Sequence, residues 1–326
     1  MAKSFRNTLF LLTTALAFPA LDAMAATPKK KSPAPPAEPP LRLRSRTKST
    51  PAPASATAGV KRANPEPARP LAPGELPILS KGAILLDAYT GQSLYEKNAD
   101  EALYPASTTK IMTALLVIEA GDLDREIEIT DEDSRVGESS LSLLPGERYT
   151  RRQMLFGLML KSANDVAHAL GRDNGGTAEA FAVKMTLRAR ELGATHTSFR
   201  NANGLHHTEH YTSPRDLALI TRGAMAQPYF RSIVATQHYT WRRASGELWA
   251  LSNHNRLLGQ FPGCTGVKTG YTNPSQQVLV SAALRDQREV IVVTMYGIRP
   301  ANWEDSKLLL TYGFEHRPGT EPVPRF

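Results

Sequence analysis

The chain has 326 residues, 39 Lys and Arg against 31 Asp and Glu for a formal net charge of +8, and a single cysteine, Cys264. One cysteine excludes an intrachain disulfide, and it stands too far along to carry lipid behind a leader. The positive balance does not argue for nucleic acid, because it is local: residues 1–74 hold twelve Lys or Arg against three acids, which leaves the remainder at about −1.

Lys3 and Arg6, an apolar stretch from Leu9 to Phe18 and the small-residue site Ala23-Met24-Ala25 read as an export leader over residues 1–25, with Ala26 the mature start. The apolar stretch is short for a bilayer span. This predicts a protein secreted across the inner membrane to the periplasm or cell envelope. Residues 26–76 contain twelve of the 24 prolines, set among Ala, Ser and Thr, and read as an extended linker. Its basic residues fit either a weak contact with anionic envelope polymers and lipid head groups or a solvated spacer. The folding part is residues 77–316, about 240 residues and enough for a large core, followed by a polar tail over 317–326.

Within that part, Gly82–Asp87 and Ser93–Glu96 flank the turn Tyr89-Thr90-Gly91 and predict a hairpin. Pro105 then opens a helix whose apolar run, Ile111–Ile118, is long enough to be buried. Ile127 and Ile129 alternate like a short strand, and Ser139–Ser142 and Pro145-Gly146-Glu147 read as loop and turn. Thr150 is a candidate N-cap for a helix from Arg151 to Leu160. A second helix follows the junction Lys161–Asp165, others are expected over Ala178–Leu192 and Asp216–Ala226, and Asn201–His210 is a loop. His206, His207 and His210 lack the spacing of a zinc helix, so they are read as structural and no metal is expected. From Gln260 onward the pattern turns to strands, Gly266–Tyr271, Gln277–Leu284 and Glu289–Tyr296, an antiparallel meander closed by a helix over Asn302–Leu310.

Three short motifs carry chemistry. Ser107 and Lys110 stand three apart at the helix start, where they share a face. A serine hydroxyl needs an adjacent base, and an amine serves only if burial or a nearby cation keeps it neutral. Ser162-Ala163-Asn164 lies at the helix junction, where its plain reading is a polar cap. Lys268-Thr269-Gly270 lies in a strand. Ser162 stands 55 residues after Ser107, and Lys268 a further 106 on. Each motif alone is weak; together they are specific, since each falls on the element its chemistry requires.

The set resembles the penicillin-recognising serine acyl-enzymes, and most closely the low-molecular-mass penicillin-binding proteins of the D-alanyl-D-alanine carboxypeptidase type. The similarity runs from Ile78 to Gly313 and includes Gly82–Glu96, Ala202–His206 and His210-Tyr211-Thr212. It implies an α/β (α+β) fold of the β-lactamase/transpeptidase kind, an antiparallel sheet flanked by helices plus a helical lobe, with the site between. It further implies that Ser107 attacks the penultimate D-alanine carbonyl, Lys110 takes its proton, Ser162 returns one to the leaving amine and Asn164 holds Lys110 and substrate. Lys268 and Thr269 would grip the free carboxylate, Gly270 would leave room along the strand, and the Ser107 and Tyr271 N–H groups would form an oxyanion hole. Peptidoglycan stem peptides are the implied substrate, β-lactams the implied covalent inhibitors, and no cofactor is required.

Relatives often carry Ala-Gly just after the Lys-Thr-Gly strand; this chain has Pro274-Ser275-Gln276-Gln277. Many also carry a second strand-rich domain and an amphipathic terminal helix, which this sequence, ending at Phe326, lacks. Endopeptidase cleavage of D-alanyl cross-links therefore stands beside carboxypeptidase activity. A β-lactamase would need a glutamate in an E-x-x-L-N loop, and Glu179, Glu191, Glu209 and Glu247 are not in one. A wall-binding module with a dead site is opposed by the intact motif side chains.

Overall fold

The structure is a computed structural model and describes residues 76–316. The expected leader, nearly all of the linker, and the tail lie outside the described residues. The chain alternates between strands and helices: β1 (Gly82–Asp87), β2 (Ser93–Lys97), α1 (Lys110–Glu119), β3 (Glu126–Glu128), α2 (Asp131–Ser134), β4 (Arg148–Thr150) and α3 (Arg151–Phe156). There follow α4 (Asn164–Gly175), α5 (Ala178–Glu191), α6 (Pro214–Met225), α7 (Pro228–Ala235), β5 (His238–Arg242) and β6 (Leu248–Ser252). The chain then closes with β7 (Cys264–Thr272), β8 (Gln276–Arg285), β9 (Arg288–Gly297) and α8 (Ala301–Glu315).

The main sheet is antiparallel, in the order β2-β1-β9-β8-β7. Hairpin-forming turns join β1 to β2, β7 to β8 and β8 to β9. Pairing β1 with β9 brings the first and last strands together, so the sheet forms only when most of the chain is present. β1, β8 and β9 are near-continuous apolar runs because both sheet faces are covered. The period-2 alternation sends Ile84 and Leu86 to the large core shared with α1, α4 and α6, and Ala83 and Leu85 to a second core under α8 with Leu309 and Leu310. The N-terminal approach is pinned to α8 by buried Asp305, which accepts from the Leu79 and Ser80 amides and the Ser80 hydroxyl at 2.6–3.0 Å.

The helical lobe is built around α1, whose Ile111–Val117 are all buried. Thr150 caps α3 as expected, accepting from the Gln153 amide. That helix then widens into a π turn over Gly157–Lys161, where a straight α-helix was expected, and stops at Ser162 in the left-handed region with φ 63°. The cap of α4 is backbone at Ala163, not the Asn164 or Asp165 side chain. Four elements carry no expectation from the sequence: α2, β4, α7 and the β5–β6 hairpin. α8 also runs a turn beyond the expected Leu310.

Candidate active site

Pro105 leads into a 3-10 turn, Ala106–Thr109, rather than straight into the α-helix. The tight turn holds Ser107 at its surface while Lys110, the first residue of α1, is fully buried. The Lys110 amine lies 3.0 Å from Ser107 Oγ, 2.7 Å from Asn164 Oδ1 and 2.6 Å from the Asn203 carbonyl. Two of those neighbours can only accept. A neutral amine gives its two N–H groups to the carbonyls of Asn164 and Asn203 and turns its lone pair to the Ser107 hydroxyl. Burial, and then the charge of Lys268, hold Lys110 well below the usual lysine range, which favours that neutral form.

Each partner of Lys110 is fixed from behind. Asn164 donates its Nδ2 to the Gly137 carbonyl at 3.1 Å, so the side chain that a cap would need is engaged elsewhere. The Asn203 carbonyl was not anticipated as part of the site. It is presented by a loop closed on itself by Asn201, which accepts from the Gly204 amide and donates to the Leu205 carbonyl. Thr113 of α1 ties the same loop down through the Ala202 carbonyl at 2.7 Å. The Asn-Ala-Asn-Gly run was a usable signal for such a turn. Asp165, next to Asn164, accepts from the Ser140 hydroxyl and the Leu141 and Leu143 amides, and so anchors the loop that carries Ser139. His210 is buried 2.9 Å from Thr109 Oγ1, and its Nδ1 accepts from the Arg200 amide. Burial pushes its imidazole down to about 3, so it is a neutral strut behind the 3-10 turn.

β7 is an edge strand, and its free side faces this turn. A Cβ on Gly270 would stand 2.9 Å from the Ser107 amide nitrogen and 3.1 Å from Ala106 Cβ. Only glycine lets the strand come so close to the Ser107 amide. Lys268 is buried and donates to Ser162 Oγ at 3.0 Å and to the Thr269 carbonyl at 2.9 Å. Burial lowers it to about 7.

These residues surround a cleft of about 500 Å³ lined by Ser107, Ser162, Thr269, Gly270 and Tyr271. All three motifs therefore meet in one place. Arg299, just after β9, and Arg256 and His254, from the segment before β7, also line it and were not singled out in the sequence. Arg299 carried a faint signal, an arginine placed where the last strand of the meander ends. The cleft lining contains no Asp or Glu.

Residues 69–298 match the family described as D-alanyl-D-alanine carboxypeptidase. The chain belongs to that family. It is 35% identical over 231 residues to the D-alanyl-D-alanine carboxypeptidase DacF of Bacillus subtilis, covering 69% of this chain and 59% of that protein. It is 34% identical to the carboxypeptidase DacB2 of Mycobacterium tuberculosis, covering 75% of this chain and 87% of that one. Among solved structures, a Streptomyces DD-transpeptidase superposes with a TM-score of 0.70 at 33% identity over 73% of this chain and 98% of that one. A D-alanyl-D-alanine carboxypeptidase from Mycobacterium tuberculosis does so with a TM-score of 0.72 at 32% identity, over 76% and 96%. The fold is thus that of the penicillin-binding serine peptidases, with the expected antiparallel sheet and helical lobe both present.

Proposed function

We propose that this serine peptidase removes the terminal D-alanine from peptidoglycan stem peptides through an acyl-enzyme on Ser107. The observation that carries the reading is the buried Lys110 amine held between two carbonyls with its third direction on the Ser107 hydroxyl. Lys110 takes the hydroxyl proton as Ser107 Oγ bonds the penultimate carbonyl carbon. The amide nitrogens of Ser107 and Tyr271 receive the developing oxyanion, a contribution of about 3–4 kcal/mol per donor. Ser162, touching Lys268, passes a proton to the leaving amine, and water then hydrolyses the ester. Asn164 holds Lys110 and faces the substrate amide. Lys268 and the Thr269 hydroxyl, with Arg299 at the rim, receive the free carboxylate by charge-assisted hydrogen bonds.

The same arrangement takes β-lactams as covalent inhibitors, since a lactam presents one carbonyl and one carboxylate at matching positions. The leader in the sequence supports action outside the cytoplasm, where the polymer lies. The test is to treat the protein with benzylpenicillin and map the adduct by mass spectrometry, then to digest single-stem pentapeptides. The expected result is a stable adduct on the peptide holding Ser107 and release of free D-alanine. An unmodified Ser107 peptide, or rapid turnover of the drug, contradicts the reading.

A further inference from the structure

Helix α5 turns an apolar stripe outward. Val183 is 57% exposed and Leu187 52%, large side chains one turn apart on the same face. Together with Ala182 they form one wall of a groove of about 370 Å³, and the segment Ser198–Arg200 forms the other. Thr186, beside them on the stripe, spends its hydroxyl inside the molecule: it donates to the Ala182 carbonyl at 3.0 Å and accepts from the Phe199 amide at 3.0 Å. The middle of the groove is therefore apolar and calls for apolar contact. None of its lining residues lines the catalytic cleft.

The stripe ends in two opposite charges without partners. Glu179 and Arg190 both line the groove and stand about three turns apart, which puts them on one face of the helix. Among the described residues, neither side chain meets a hydrogen-bond or ion-pair partner. The flanking cations are already engaged: Lys184 donates to Asn174 Oδ1 at 2.6 Å, Arg188 pairs with Glu119 at 2.7 Å, and Arg200 on the far wall pairs with Glu209 at 3.3 Å. One free anion and one free cation at opposite ends of an apolar centre are self-complementary. A second α5 laid antiparallel on the first sets each Glu179 against an Arg190 and each Val183 against a Thr186. A lipid surface fits worse, since it selects cations alone.

We propose that α5 is a dimerisation face, on which two copies of this chain pair antiparallel about a two-fold axis. The axis passes between Val183 and Thr186. The ridge of Val183 and Leu187 on each copy enters the groove of the other, and two Glu179–Arg190 ion pairs close the ends. Every contact occurs twice, so a change at one position acts twice. α5 is 14 residues long, and two such faces cover less than the roughly 800 Å² per partner of a standard interface. The dimer is accordingly a reversible one, with a dissociation constant in the micromolar range. The inference is independent of acyl transfer at Ser107.

The test is sedimentation equilibrium of the full chain over a wide concentration range, beside Glu179→Arg, Arg190→Glu, their double variant and Leu187→Asp. The unmodified protein is expected to interconvert between monomer and dimer. Each single charge reversal sets like charges against each other at both ends and should weaken the dimer about tenfold or more. The double variant should recover it, and so should an equimolar mixture of the two single variants, because opposite charges then face each other again. Leu187→Asp should leave monomer only, since it places a carboxylate in the apolar centre. Circular dichroism and the thermal midpoint show that each variant is folded, and where Leu187→Asp does not fold the charge reversals decide. A protein that is monomeric throughout, a dimer indifferent to the single reversals, or a mixture as monomeric as its components would each overturn the assignment.

Discussion

Two buried lysines, Lys110 and Lys268, share one site, and the roles proposed for them require different protonation states. Lys110 has to be neutral to accept a proton, and its burial and the neighbouring cation favour that state. Lys268 has to be charged to hold a carboxylate, yet burial brings it to about 7. An amine with a lowered value is charged below it and neutral above it, so carboxylate binding should weaken as pH rises through about 7. The pH profile of kcat/KM on free-acid peptides is expected to fall on that alkaline side, because this ratio reports the free enzyme. Lys268→Arg should remove the alkaline limb, as a guanidinium does not titrate there. Lys268→Ala should abolish the preference for free-acid over amidated peptides while leaving the thermal midpoint nearly unchanged. Equal kinetics on the two peptide forms in the unmodified protein would contradict the role given to Lys268. Lys110→Ala should slow acylation by about 10²–10⁴-fold, the span for a lost proton-transfer group, in a stopped-flow penicillin assay.

Among the elements, the 3-10 turn is gripped from two sides by glycines. Gly204 sits at φ +88°, and a Cβ there would stand 1.9 Å from the Ala106 carbonyl oxygen; Gly270 closes on Ala106 and Ser107 from β7. Ala106 itself is held at φ 48°, a left-handed conformation that alanine avoids unless its surroundings impose it. Gly270→Ala is expected to push β7 off the turn, costing about 1–3 kcal/mol of stability and far more in acylation rate, since the two amides of the proposed oxyanion hole would separate. Thermal unfolding beside penicillin acylation measures both; an alanine variant with normal acylation would show that the close approach is dispensable. The sequence placed these elements well where one physical signal dominated. The β8–β9 meander and α1 were legible because burial on all sides leaves nearly unbroken apolar runs. The β5–β6 hairpin was not, because only Trp241 and Leu251 in its strands are fully buried and the rest reads as polar loop. The π turn before Ser162 was also invisible: its residues are ordinary helix formers, and only the demand that Ser162 reach Lys268 distinguishes it.

For the molecule as a whole, the helical lobe depends on a buried acid. Asp133 is fully buried; burial alone would raise it, but hydrogen bonds from His168, Arg172 and Thr130 outweigh that and lower it far below the carboxylate range. A carboxylate with a depressed folded value stabilises above its unfolded value, near 4, and that stability drains away as pH falls toward the folded one. Asp133→Asn is therefore expected to cost about 3–5 kcal/mol at neutral pH and to flatten the acid side of the stability profile, read by denaturant unfolding between pH 7 and 3. A variant as stable as the parent with an unchanged acid limb would show that α2 and α4 hold without the ion pair. The sequence by itself determined the residue types of the site, the order of its motifs and the elements that carry them, because hydroxyl, amine and amide chemistry and apolar periodicity are local properties. What only the tertiary structure decided is the third partner of Lys110, the glycine clamp on Ala106 and the place of Arg256 and Arg299 in the cleft wall. Those depend on distances between stretches some 90 residues or more apart, which burial of one shared core sets and no local pattern records.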